Sequence, residues 1–210
     1  MSIISLLASS LGRKDEIPNQ ELAKQIVSKN DKDAIKELVE NLNNKNKNIQ
    51  NDCIKVIYEI GTLKPLLIAD FTNQLIALLD HKNNRLQWGA MTALDILTNE
   101  KPGEIFSALP GIIAAADRGS VITNDHCVGI LIKFCAMANY AEDVFPLLIE
   151  RLVICPTNQL PMYAENALPI INQKNKSVFI RTLTERLSEI EKETKRSRVE
   201  KVIKKADKLL

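Results

Sequence analysis

Seven glycines and an aromatic fraction of 4% are little for a chain of 210 residues. Sheets are built from β-branched and aromatic residues joined by tight, often glycine-bearing turns, so this scarcity argues against an all-β fold and for helices. No apolar run reaches the ~18 residues that a membrane span needs. The opening stretch, Met1 to Leu11, has no basic residue ahead of its short apolar run, which is unlike a signal peptide. These absences predict a cytoplasmic protein without a membrane partner.

The four cysteines, Cys53, Cys127, Cys135 and Cys155, form no C-x-x-C pair and sit in apolar helical patterns, so neither a disulfide framework nor a zinc site is indicated. Cys127 and Cys135 would stand ~12 Å apart on one helix, too far to share a metal. Glycine-rich phosphate loops are missing as well. The two histidines, His81 and His126, have no nucleophile spaced to join them. The sequence therefore offers no catalytic constellation, no metal site and no cofactor site.

What is present is aliphatic: 45% of the residues are hydrophobic, enough for a chain of this length to bury a core without staples. Net charge is +2 but uneven. Residues 174–210 hold 12 Lys/Arg against 6 Asp/Glu, whereas residues 1–173 hold 16 against 20.

Self-comparison reveals a period, the signal that repeat arrays carry. Helical stretches open at Ile49, Leu86, Ile122 and Leu160, with starts 37, 36 and 38 residues apart. Cys53, Ala90, His126 and Ala164 then align, as do Ile57, Leu94, Ile130 and Leu168. Offsets of 0, 4 and 8 define one helix face, and a small residue in its middle allows close packing against a neighbour. Only His126 breaks that pattern.

Each such stretch follows another apolar helical segment: Ala34 to Leu42, Leu66 to Leu79, Ile105 to Ala116, and Val144 to Ile154. The unit is a helix pair. Pro110 and Pro146, 36 residues apart, are expected to bend or restart two of these first helices. Ser197 and Glu200 form an S-x-x-E capping box, which predicts a last helix from Arg198 to Leu210. Its charge suits a terminal repeat that faces solvent.

The segment Leu75 to Leu94, LIALLDHKNNRLQWGAMTAL, resembles the HEAT repeat. In that family an aspartate ends the first helix, an apolar residue opens the second, and Ala then Ala-Leu follow. Asp80, Leu86, Ala90, Ala93 and Leu94 stand in those places. The family's arginine after the opening apolar residue is Gln87 here, Gln50 one repeat earlier and Thr123 one repeat later, so the Asp/Arg ladder is missing. The period lies below the ~40 to 47 residues of HEAT and armadillo arrays, and armadillo-like is an equally fair description. The armadillo asparagine near the end of the last helix would fall on Ile96, so that peptide-gripping ladder is not carried over. The resemblance implies an all-α, right-handed α-solenoid of about four to five helix pairs.

Residues 1–30 are expected to cap this array, residues 31–196 to form the repeats, and residues 197–210 to close it with a basic helix, all in one domain. Ile3, Ile4, Leu7 and Leu11 suit a short amphipathic helix, and Pro18 with Asn19 precedes another from Glu21 to Lys29. The polar side of Met1 to Leu11 is serine and not lysine, which favours capping over membrane-surface binding.

In a HEAT-like stack the second helices line the concave side, so the face opposite the shared core becomes the candidate partner surface. Helical phase places Lys55 and Tyr58, then Trp88, Met91 and Asp95, then Asn124, Val128 and Leu131, then Met162 and Glu165 on it. Tryptophan and methionine are favoured at interfaces. The function expected is a non-catalytic scaffold that takes a protein or peptide partner. The alternative for the apolar members of this strip is plain core, because apolar residues are buried far more often than they are sticky.

A runner-up reading is nucleic-acid binding. Lys201, Lys204 and Lys205 of the basic tail are candidate phosphate contacts, against the bland reading of a solvated capping face that suits the helix dipole. Some HEAT-like proteins resemble DNA glycosylases that use tryptophan, aspartate and arginine; Trp88, Asp95 and Arg85 match these residue types, but helical phase puts only Trp88 and Asp95 on one face.

Overall fold

Asparagine recurs just ahead of the helices that the period predicts, and it caps them. In the computed structural model, which describes residues 2–209, the Asn46 side chain accepts from the backbone N–H of Asn48 (2.9 Å) and that of Asn83 from Arg85 (3.1 Å). Ser120 follows at the same spacing, its hydroxyl accepting from Thr123 N–H at 3.4 Å. Such caps satisfy N–H groups that a helix start leaves without partners.

Among the described residues there is no strand, and twelve α-helices follow in order. They are α1 (Ile17–Lys29), α2 (Lys32–Glu40), α3 (Lys47–Leu63), α4 (Thr72–Ala77), α5 (Asn84–Leu97), α6 (Pro102–Ser107), α7 (Leu109–Arg118), α8 (Val121–Cys135), α9 (Ala141–Ile154), α10 (Leu160–Ala167), α11 (Lys176–Arg186) and α12 (Glu193–Asp207). None is long and apolar enough to cross a membrane.

Counting α3, α5, α8 and α10 from residues 49, 86, 123 and 160, offsets 4 and 7 are buried in all four helices. Offset 4 is Cys53, Ala90, Cys127 and Ala164; offset 7 is Val56, Ala93, Ile130 and Ala167; all eight are 0% exposed. Offset 11 brings Ile60, Leu97, Phe134 and Ile171 to the same side, all buried. The same pattern holds in α1, with Asn19, Leu22, Ala23 and Ile26, and in α12, with Val199, Val202 and Ala206. The third repeat thus begins at Thr123 (1% exposed) and not at Ile122 (42% exposed), which makes the spacing an even 37 residues. The anomaly at His126 disappears, since Cys127 is the small middle residue.

In three of the four second helices the position after the opening residue holds a side-chain amide that ties the pair together; in the fourth it is Pro161. Gln50 Nε2 donates to Asn44 O (2.8 Å), Gln87 Nε2 to Leu79 O (2.7 Å) and Asn124 Nδ2 to Ala116 O (2.8 Å). A side-chain amide bonded to a backbone carbonyl of the preceding segment thus stands where the resemblance leads one to expect arginine. Asn83, besides capping α5, donates to Gln50 Oε1 and Asn51 Oδ1 (both 2.9 Å), joining α5 to α3.

Several local expectations are corrected. Ile3–Leu6 forms a single 3-10 turn in place of an amphipathic helix. The segment expected as one helix from Leu66 to Leu79 is broken into two 3-10 turns, the short α4 and a third 3-10 turn. Pro110 stands in the first turn of α7, where a missing N–H costs nothing, but α9 runs through Pro146 without ending. The last helix begins at Glu193, so Ser197 lies in its interior and caps nothing.

The chain packs as two units, Met1–Cys127 and Val128–Leu210. In the first, α3 packs on α1 and α5; its approach to α5 is close, since a Cβ built on Gly89 would lie 2.6 Å from Ile54 Cγ1, while one built on Gly61 would lie 2.5 Å from Ile68 Cδ1 and in ordinary contact, 3.5 Å, with Ile96 Cγ2. In the second, α10 and α11 pack on α12, and α11 packs on α9. There the buried Arg186 guanidinium donates to Leu152 O and Cys155 O (both 2.8 Å) and to Glu189, satisfying carbonyls at the end of α9.

Candidate functional site

Burying offsets 4, 7, 8 and 11 turns offsets 2, 6 and 9 of each second helix toward the opposite side. In the first unit this sets Lys55, Tyr58, Trp88 and Asp95 along one face, as the sequence predicts. Trp88 is half-buried, whereas Tyr58 (8% exposed) and Lys55 (6%) are buried. Their ring centres are 5.9 Å apart at 43°.

Each ring carries a cation. Arg85 lies 4.4 Å from the Trp88 ring centre, and Lys55 Nζ lies 4.9 Å from that of Tyr58. Both cations are held by Glu16, at the start of α1: Lys55 at 2.8 Å, Arg85 in a close ion pair. Lys55 also meets Glu59, one turn on, at 2.7 Å. Burial by itself would lower the Lys55 pKa, but its hydrogen bonds to Glu16 and Glu59 outweigh that and raise it above the ordinary lysine value. For Glu16, burial pushes upward and the hydrogen bonds from Lys55 and Arg85 overcome it, holding the carboxyl below its usual range. Farther along, Asp95 Oδ2 meets His126 Nδ1 at 2.8 Å.

Other expected members lie elsewhere. Met91 and Leu131 are 0% exposed and Val128 2%, so all three are core. Met91 and Val128 occupy offset 5, the offset at which Ile54 meets Gly89, and Leu131 occupies the core offset 8. Asn124 turns its amide inward to Ala116 and Ser120. With the third repeat counted from Thr123, the residue of the first unit at these offsets is Asp125; Gly129 and Ile132, at offsets 6 and 9, fall in the second unit. Met162 and Glu165 belong to the second unit, where Arg198 grips Glu165 with two hydrogen bonds of 2.8 and 2.6 Å and holds its carboxyl below the usual range. Lys201, Lys204 and Lys205 are exposed on α12. Sequence reasoning missed Glu16, Glu59 and His126, and it left Arg85 off the Trp88 face.

A polar cleft of about 500 Å³ opens beside this cluster, between Ser9–Glu16 and the starts of α3 and α5, with Arg85 in its wall. Its carboxylates are engaged: Asp15 by Arg13, Glu16 as above, and Asp52 by Ser9 N and Asn19 Nδ2. No group of three or more His, Cys, Asp or Glu residues among the described residues is arranged to hold a metal ion.

No protein-family model matches the sequence, and no curated protein does. Solved structures do match. A designed armadillo repeat protein in complex with the peptide (KR)4 superposes with a TM-score of 0.67 at 15% identity, over 89% of this chain and 86% of that one. Computationally designed armadillo repeat proteins for modular peptide recognition give 0.66 at 15% identity, over 97% and 98%. The fold is an armadillo/HEAT-like helical repeat. An engineered protein also superposes, at 20% identity and a TM-score of 0.63 over 97% of this chain and 95% of that one.

Proposed function

We propose that this protein is a non-catalytic scaffold that binds an extended peptide or protein segment across the Tyr58–Trp88 face of its first unit. The observation that carries the reading is Trp88. The protein's one tryptophan stands on the side opposite the shared core, half-buried, and is fixed by Arg85 over its ring and by the Tyr58 ring tilted against it. A rigid, partly open aromatic beside charged groups is the composition of a binding hot spot. Two of the similar structures are peptide-binding designs, which agrees with this reading at the level of architecture.

The test is selection of peptides from a random library on the intact protein, repeated with Trp88→Ala. Selected peptides should bind the variant at least ~30-fold more weakly, about 2 kcal/mol, while unfolding shifts by less than about 1 kcal/mol. A stability loss of ~3 to 5 kcal/mol would make Trp88 core and overturn the reading.

A second reading rests on α12, where Lys201, Lys204 and Lys205 are exposed and form no ion pair among the described residues. They offer phosphate contacts. Retention on a heparin or DNA column that is lost in moderate salt, and lost with all three changed to Glu, supports it. Absence of retention at low salt rejects it.

A further inference from the structure

The polar cleft beside Trp88 is unevenly equipped for hydrogen bonding. Three carboxylates line it, Asp15, Glu16 and Asp52, and each of their oxygens already has a donor. Arg13 holds both oxygens of Asp15 (2.8 and 2.9 Å). Ser9 N and Asn19 Nδ2 hold those of Asp52 (2.8 and 2.7 Å), and Lys55 and Arg85 divide those of Glu16.

The groups left over in the lining are donors. Lys14 is exposed and forms no ion pair among the described residues. The exposed Asn48 has an unpaired side-chain amide, and Asn51 has given its oxygen to Asn83 and keeps its Nδ2. Arg85 gives one guanidinium nitrogen, NH2, to Glu16. Lining cations and carboxylates balance, three of each, so the preference of the cleft comes from the donors that retain bonding capacity and not from net charge. A ligand here must bring acceptors.

The aromatic face points the same way. The Trp88 ring carries Arg85 and the Tyr58 ring carries Lys55, while the neighbouring carboxylates of Glu16 and Glu59 are held by these cations. The positions where a basic side chain would gain most are thus filled by the protein's own cations. Arg85 belongs to both places, since it lies over the indole and stands in the cleft wall. At ~3.3 to 3.6 Å per extended residue, a chain lying on Trp88 reaches the cleft within about two residues.

We propose that the cleft is an acidic subsite of the peptide face, taking the carboxylate of an Asp or Glu that stands one or two residues from the residue on Trp88. The assignment rests on the peptide reading of that face. Lys14 supplies the unpaired charge, Asn48 and Asn51 supply neutral donors, and Arg85 bounds the side next to the indole. A singly charged carboxylate suits the cleft better than a phosphate, because three carboxylates already line it and would repel a second negative charge.

Selection on the full chain from a synthetic random library of terminally blocked octapeptides tests this, the blocks leaving side chains as the only carboxylates. Peptides that lose binding in Trp88→Ala should carry Asp or Glu at a fixed spacing from a shared apolar residue. Changing that acid to its amide should weaken binding ~10-fold. In Lys14→Glu the acidic peptide should weaken by ~10-fold while its amide counterpart is nearly unchanged. Asn48→Ala should narrow the same difference by a smaller factor. Both positions are exposed, so each variant should keep the parent's unfolding midpoint. Trp88-dependent peptides that lack an acidic preference, are enriched in Lys or Arg, or carry an acid indifferent to both variants overturn the subsite and leave the peptide reading standing. Peptides indifferent to Trp88→Ala, or no selected peptide at all, overturn the peptide reading and the subsite with it.

Discussion

The Arg85 guanidinium lies over the indole of Trp88, 4.4 Å from its ring centre, where the Glu16 carboxylate fixes it from another helix. Replacing Arg85 by Ala should uncover one ring face. Tryptophan emission should shift to the red and become more readily quenched by acrylamide. The fold should lose only about 0.5 to 1 kcal/mol, the worth of a partly exposed cation–π contact. Glu16→Gln should produce a smaller shift in the same direction.

Glu16 and Lys55 make opposite demands on pH. The Glu16 carboxyl is held below its ordinary value of 4.5, so its contribution to stability is present above that pH and is lost as pH falls below it through the folded value. The Lys55 ammonium is held above 10.5, so its contribution is complete below that pH and is lost only as pH rises beyond it. Between these limits the network should be insensitive to pH. In Glu16→Gln the acid limb of the denaturant midpoint should flatten, and an unchanged acid limb would assign the lost stability to other carboxylates.

Gln87 binds the Leu79 carbonyl at 2.7 Å in a buried setting. Gln87→Leu removes the donor and leaves that carbonyl unpaired, which should cost about 1 to 3 kcal/mol in urea unfolding. The same change at Asn51, half-exposed on the opposite face, should cost less.

The one-residue shift in the third repeat is open to a direct comparison. Cys127 shares its offset with Ala90 and is 0% exposed, as Ala90 is, so Cys127→Leu and Ala90→Leu should each overpack a close contact and cost about 1 to 3 kcal/mol. His126→Leu, at a half-exposed position, should cost less than Cys127→Leu. A reversed order would return the register to Ile122.

The period, the helix pairs and most of the core were legible because burial at fixed offsets leaves a regular hydrophobic trace. The register of α8 was not, because Ile122 is the better hydrophobe and Thr123 the buried residue; the cap spacing from Asn83 to Ser120, and the amides at Gln50, Gln87 and Asn124, carry the correct phase. Met91 and Val128 were misplaced for a different reason. Counting to the far side of an isolated helix ignores its flanks, and offset 5 is where repeats meet. Glu16 was out of reach altogether, since nothing local in the sequence brings a residue at the start of α1 to the side chains of Lys55 and Arg85. The half of the candidate site set by helical phase could be read, and the half set by long-range ion pairing could not.

Contacts in a repeat array ordinarily run only between neighbours, which is why such arrays melt like a row of separable blocks whose stabilities add. Glu16 breaks that rule. By reaching from α1 past α3 to a cation on α5, it links blocks that are not adjacent. Opening α1 should therefore loosen α5 as well as α3, so that fraying at the amino-terminal end would spread at once to the aromatic pair.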